Sequence, residues 1–195
     1  STPAALITLP IFLLLTLIAD PIILVLLTDK WALALPIMQI FSIARLITIA
    51  SIININVLYI IGRTDLVLKQ QYFCIGIRVI LVIAALKYGI VAIAWAELIS
   101  SAIHFFINAY YPGKLINYGA VKQVKDLYKI YLSGIIMSLP VIILTKTIEN
   151  NVLVLTLSFV LCIPLYYMIL RLFKIGEVDS LQRHLIGFLK PKSNK

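Results

Sequence analysis

Six apolar stretches, each near or above the length needed to cross a bilayer, leave this chain little choice of fold. They occupy residues 4–27, 35–61, 72–86, 90–111, 130–144 and 152–170. A helix needs about 20 residues at about 1.5 Å each to cross about 30 Å of hydrocarbon. The stretches at 72–86 and 130–144 are short, and each is expected to borrow a turn from its polar flanks. Of the 195 residues, 62% are hydrophobic and 13% charged, against about 25% charged in a soluble domain. A water-soluble globule of this size has too little interior for so much apolar side chain. The chain therefore reads as an all-α integral membrane protein: a bundle of six transmembrane helices over residues 1–174 and a basic cytoplasmic tail over 175–195. Within that tail, residues 177–190 place Val178, Leu181, Leu185 and Leu189 at helical spacing, as an amphipathic helix on a membrane surface would.

Lysine and arginine set the expected orientation, because short cytoplasmic loops hold an excess of them. Arg63 and Lys69 lie between the second and third spans, and Lys114, Lys122, Lys125 and Lys129 between the fourth and fifth. Lys174, Arg183, Lys190, Lys192 and Lys195 follow the sixth, while the alternate connections carry one lysine each, Lys30, Lys87 and Lys146. This alternation predicts a multi-pass protein of the cytoplasmic membrane with both ends of the segment inside. It also accounts for the net charge of +9 without nucleic acid, since no basic stripe interleaved with aromatics occurs. The opening Ser-Thr-Pro-Ala has no Met and no basic region before its apolar run, unlike a signal peptide. It reads as the start of the C-terminal part of a longer protein.

Charges inside spans are costly, and usually face a bundle interior or a watery cavity. Asp20, Arg45, Arg78 and Glu97 are the four candidates. Counted from the outer ends of their spans, Asp20 lies about 12 Å deep and Arg45 about 16 Å, Arg78 about 13 Å and Glu97 about 12 Å. Each pair falls on consecutive spans, so Asp20 could meet Arg45 and Arg78 could meet Glu97, making a polar interior in the outer half. Such pairs could simply neutralise themselves and set helix register. Alternatively an arginine could receive an anionic headgroup, its planar fork suiting phosphate, with the acid holding it when the cavity is empty.

The second span adds Gln39, Ser42, Asn54 and Asn56, which could bridge helices or line a path for sugar hydroxyls. Ser100, Ser101, His104 and Asn108 form a polar face on the fourth span. A proton relay from Glu97 to His104 would have to cross about 10.5 Å along the axis, so packing by hydrogen bonds is the expected role. Pro10, Pro21, Pro140 and Pro164 interrupt spans and free backbone groups. Cys74 and Cys162 sit in apolar runs and read as small core residues. Soluble-type catalytic motifs, clustered metal ligands and cofactor loops are lacking, so neither an enzyme activity nor a cofactor is expected.

An ordered series of local fragments runs along the chain: Ala19-Asp20-Pro21-Ile22-Ile23-Leu24, Thr28-Asp29-Lys30-Trp31 and Ala34-Leu35-Pro36-Ile37-Met38-Gln39-Ile40. It continues with Gly62-Arg63-Thr64-Asp65-Leu66 and Lys69, Gly89-Ile90-Val91-Ala92-Ile93-Ala94, Gln123-Val124-Lys125-Asp126-Leu127 and Ser133-Gly134-Ile135-Ile136-Met137. In order and spacing these fragments resemble the polysaccharide flippase branch of the multidrug/oligosaccharidyl-lipid/polysaccharide exporter superfamily. The first outer turn departs from the pattern, with Thr28 or Asp29 where a glycine is usual. The resemblance implies a two-bundle transporter of which this chain is the last six spans. It implies inversion of a polyprenyl-diphosphate-linked oligosaccharide across the membrane, with no covalent step. The implied partners are that lipid-linked oligosaccharide, membrane lipids, an N-terminal half of the same protein, and a polysaccharide polymerase with its assembly proteins. Arg45, Arg78, Asn54, Asn56 and Gln39 are the candidate substrate-binding residues, with Asp20 and Glu97 as supporting acids. A drug or cation antiporter using Asp20 or Glu97, and a polytopic membrane glycosyltransferase, are the competing readings.

Overall fold

The computed structural model describes residues 2–27 and 29–173, and the tail helix expected at 177–190 lies outside them. Among the described residues seven α-helices follow one another: α1 (Thr2–Leu17), α2 (Ala19–Leu26), α3 (Ala34–Ile60), α4 (Thr64–Ala85), α5 (Ile90–Ile116), α6 (Ala120–Thr147) and α7 (Asn151–Leu172). Single 3-10 turns occupy Asp29–Trp31 and Leu86–Tyr88. The last five helices are each long and apolar enough to span a membrane, and α1 with α2 makes a sixth span if the pair is counted as one. Large aliphatic side chains remain outside, among them Ile60, Leu33 and Leu172. A surface this apolar is expected where the surrounding solvent is lipid.

The first apolar stretch is broken. Between α1 and α2 the axis turns by 68° at Ile18. The cause is local: Pro21 offers no N–H to the Leu17 carbonyl, and its ring crowds that same carbonyl four residues back. Asp20 then falls in the first turn of α2, where the unpaired N–H groups and helix dipole favour an acid. Pro10, Pro112, Pro140 and Pro164 remain inside helices.

The two short stretches do extend into their flanks, further than one turn. Helix α4 begins at Thr64 and α6 at Ala120, so polar residues such as Lys69, Lys122 and Lys125 belong to helix ends. Helix α5 runs through Pro112 to Ile116, leaving residues 117–119 as the link to α6. That link closes because Asn117 adopts a left-handed conformation, φ 55°, and the Tyr118 N–H returns to the Pro112 carbonyl at 3.2 Å. Its tightness favours glycine at 113, since a Cβ there would stand 3.0 Å from the Gly119 Cα.

Packing does not follow chain order throughout. Helix α3 packs chiefly on α5 and α1, α5 in turn carries α4, and α6 packs on α1 and α7. The main core joins Leu6 and Leu9 of α1, Leu46 and Ile53 of α3, Met137 and Val141 of α6 and Cys162 and Ile169 of α7. Gly134 lets α1 and α6 approach, because a Cβ there would collide with Leu9 and Leu13. A smaller core of Leu58, Leu66 and Val67, with Tyr111 against it, ties the end of α3 to the start of α4 and the end of α5. That end of the bundle carries Arg63, Lys69 and Lys114, and we refer to it as the basic end.

Candidate functional site

Two polar regions are built into this apolar bundle, one between α4 and α5 and one on α3. Along the α4–α5 seam, Arg78 Nε lies 3.2 Å from Glu97 Oε2, with Glu97 12% and Arg78 43% exposed. The contact is an ion pair rather than an aligned hydrogen bond, since the Nε–H does not point at the carboxylate. One turn of α4 toward the basic end, the His104 Nε2–H is shared between the Cys74 carbonyl at 2.8 Å and Ser100 Oγ at 3.0 Å. Cys74 Sγ faces Asn108 Oδ1 at 4.0 Å, and Gln70 Nε2 donates to the Ile107 carbonyl at 2.6 Å. His104 thus serves packing and shares no hydrogen bond with Glu97. Both cysteines are buried thiols.

On α3 the candidates divide. Asn54 is fully buried, donating to the Ala50 carbonyl at 3.3 Å and accepting from Gln123 Nε2 of α6. Gln123 also donates to the Tyr118 carbonyl at 2.8 Å. Gln39 Nε2 donates to the Thr16 carbonyl at 3.3 Å, a group loosened by the break after α1. Tyr131 of α6 reaches the Leu46 carbonyl at 3.1 Å. These contacts hold α3 against α1 and α6. Arg45 and Asn56 point elsewhere: both are exposed, on one stripe with Ile52 and Tyr59. Spacings of 7, 4 and 3 residues put all four within about 60° of azimuth on the same helix face.

Asp20 and Arg45 do not form the pair that their depths allow. Both are exposed, and the ion pairs found among the described residues are Arg78–Glu97 and Arg63–Asp65. The physical reason is the 68° bend, which carries Asp20 off the axis that the depth estimate assumed. The contacts that a search for intramembrane charge overlooks come from Gln70, Gln123 and Tyr131. Two of these are amides in the polar first two turns of spans, which is the signal that could have marked them.

Arg63 and Asp65 make a two-pronged exposed pair, Nε to Oδ1 and Nη2 to Oδ2 at 3.0 Å each. With Gly62 at φ 77°, they shape the turn between α3 and α4. Beside Asp65, the Arg63 guanidinium is held still more firmly in its charged form. Groups of three or more potential metal ligands are absent among the described residues. A cavity of about 580 Å³ opens between α1, α6 and α7, lined by residues such as Leu6, Pro10, Leu14, Met137, Phe159 and Cys162. It is too apolar to receive a charged headgroup.

No protein-family model, curated protein or solved structure matches this chain.

Proposed function

We propose that the chain is one bundle of a flippase that carries polyprenyl-diphosphate-linked oligosaccharide across the cytoplasmic membrane for surface polysaccharide synthesis. The observation that carries this reading is the outward stripe of α3, where Arg45 stands exposed within a membrane span with Asn56 on the same face. From Arg45 to Asn56 is about 16 Å along the axis. An arginine so placed is unfavourable against lipid, and its stripe is better matched to a water-filled path shared with a second bundle. In that path the Arg45 fork would pair with diphosphate oxygens, while Asn56 offers both a donor and acceptors to sugar hydroxyls. Arg78, half exposed beside Glu97, is a second cation for the same anion.

The resemblance of the sequence to polysaccharide flippases supports the same reading and supplies the second bundle as the N-terminal half of the protein. Rocking of the two bundles about a midplane site would present the headgroup to each face in turn. The polyprenyl chain would stay in the bilayer, and no bond would be made or broken. Both ends of this segment would lie in the cytoplasm, with the basic end of the bundle. Polymerase and assembly proteins would then use the glycan delivered outside.

The test is surface polysaccharide and lipid-linked precursor in cells lacking the gene, complemented with full-length protein or its Arg45→Ala variant. Loss of surface glycan with precursor trapped on the cytoplasmic face, restored by wild type and not by the variant, is the expected result. Normal glycan with altered drug or cation sensitivity would replace the flippase with an antiporter. A glycan left incomplete would instead indicate a membrane glycosyltransferase.

A further inference from the structure

The outer face of the α4–α5 hairpin holds a second cavity, of about 510 Å³, at the basic end of the bundle. Lys69, Gln70 and Phe73 line it from α4, and Phe106, Tyr110 and Tyr111 from α5. Its volume is that of roughly seventeen waters, room for a headgroup and the first carbons of a chain. We infer that this groove binds an anionic glycerophospholipid of the surrounding bilayer, with the phosphate at Lys69 and a chain along Phe73 and Phe106.

Four observations carry the assignment. The first is charge. Asp65, one helical turn before Lys69, is already engaged by both arms of Arg63, and no carboxylate pairs with Lys69 among the described residues. An ammonium left uncompensated at the basic end therefore faces the groove. The second is depth. Lys69 lies five residues into α4, about 7.5 Å from its start, and the apolar part of the span begins at Tyr72. That is the level at which lysines and tyrosines meet headgroups.

The third is the wall. Phe73, Phe106 and Tyr110 are 62%, 65% and 61% exposed, an aromatic surface with no cover from the rest of the bundle. Tyr111 is anchored on Leu58, Leu66 and Val67, and its ring stands edge-on to Tyr110 at 5.2 Å. The groove is thus preformed on its α5 side. On the floor, Gln70 is 4% exposed and bonded to the Ile107 carbonyl, while its Oε1 has no donor among the described residues.

The fourth is access. The rest of the α4 surface is apolar and outward, with Leu68, Tyr72, Ile75, Val79 and Ile83 all exposed. The groove opens onto that surface, where bilayer lipid is the molecule at hand. The inference does not depend on the flippase reading, because it concerns the opposite class of surface from the α3 stripe.

The experiment is native mass spectrometry of the full chain released from vesicles of equimolar phosphatidylglycerol and phosphatidylcholine. Wild type is expected to retain phosphatidylglycerol preferentially. Lys69→Ala is expected to weaken that retention about fivefold, the effect of one lysine on an anionic membrane surface. Lys69→Arg should preserve it, as should Lys87→Ala at the other end of α4. Lys69 is exposed, so unchanged circular dichroism is expected to show that Lys69→Ala folds. Equal retention of the two lipids, or wild-type retention by Lys69→Ala, would overturn the site. Displacement of phosphatidylglycerol by soluble glycerol phosphate would overturn its assignment to a bilayer lipid.

Discussion

Helices α4 and α5 meet as two unbroken rods joined by a short turn, whereas α2 approaches α3 only after the 68° corner that the break at Ile18 puts between α1 and α2. The first region brings Arg78 to within 3.2 Å of Glu97. The second leaves Asp20 and Arg45 exposed and apart. All four charges have similar depths along their spans, so depth is not what separates the outcomes. Pairing also needs two axes that stay parallel and two side chains that share an azimuth. In α4–α5 the contacts Arg78–Glu97, Cys74–His104 and Gln70–Ile107 follow one antiparallel register. In the corner, Pro21 rotates one partner out of register before the question of azimuth arises.

Arg78→Ala is the sharpest way to break this comparison. Removing one partner of a buried pair costs about 3–5 kcal/mol, and exposed pairs contribute about 0–1 kcal/mol. With Glu97 nearly buried and Arg78 half exposed, the expected loss is about 2 kcal/mol of unfolding free energy in micelles. Wild-type stability in this variant would mean that the seam is held by packing alone. A double-mutant cycle with Glu97→Gln should show coupling, and the same cycle on Asp20 and Arg45 should show none.

His104→Leu removes the next contact in the register. Interhelical hydrogen bonds inside membranes contribute about 0.6 to 2 kcal/mol, so a loss of about 1 kcal/mol is expected, measured by the same unfolding assay. Because His104 and Glu97 share no hydrogen bond, its effect should add to that of Arg78→Ala. Strong non-additivity would show that the seam acts as one network.

Pro21→Ala attacks the corner. It restores an N–H to the Leu17 carbonyl, so α1 and α2 should straighten. Spin labels at the exposed positions Ile11 and Leu26 report it: the Cα separation should lengthen toward about 22 Å, the rise of fifteen helical residues. The expected stability change is under about 1 kcal/mol. An unchanged distance would place the cause of the bend in the packing of α2 on α7 and α3, rather than in the proline.

These regions also mark how far the residues alone could be read. The membrane class and the helical spans follow from hydrophobic length, because lipid permits few ways to satisfy a backbone. Even so, Thr64 and Ala120 begin their helices well before the apolar stretches do, since a helix continues into the headgroup layer without needing apolar side chains. Depths along the axis were legible from residue counts. Azimuth was not, because a helix that is apolar on every side gives no phase. Asn54 and Asn56 are two residues apart and alike in chemistry, yet one is buried against Gln123 and the other is exposed. That difference is set by where α6 docks, through Tyr131 and Gln123, and no local pattern encodes it.

Arg45→Ala carries the smallest expected stability effect. The side chain is exposed and outside the ion pairs described, so its removal should change unfolding by less than about 0.5 kcal/mol. If the α3 stripe lines the translocation path, this same variant should abolish glycan export at normal protein level in the membrane. Arg78→Ala should show the reverse balance, a clear loss of stability with a smaller loss of export after correction for protein amount. A charge that stabilises its own bundle has its partner within the bundle, as Arg78 does. In the proposed flippase, a charge kept at similar depth with no such partner is the one left to meet the arriving headgroup, and the contrast between these two variants measures that difference.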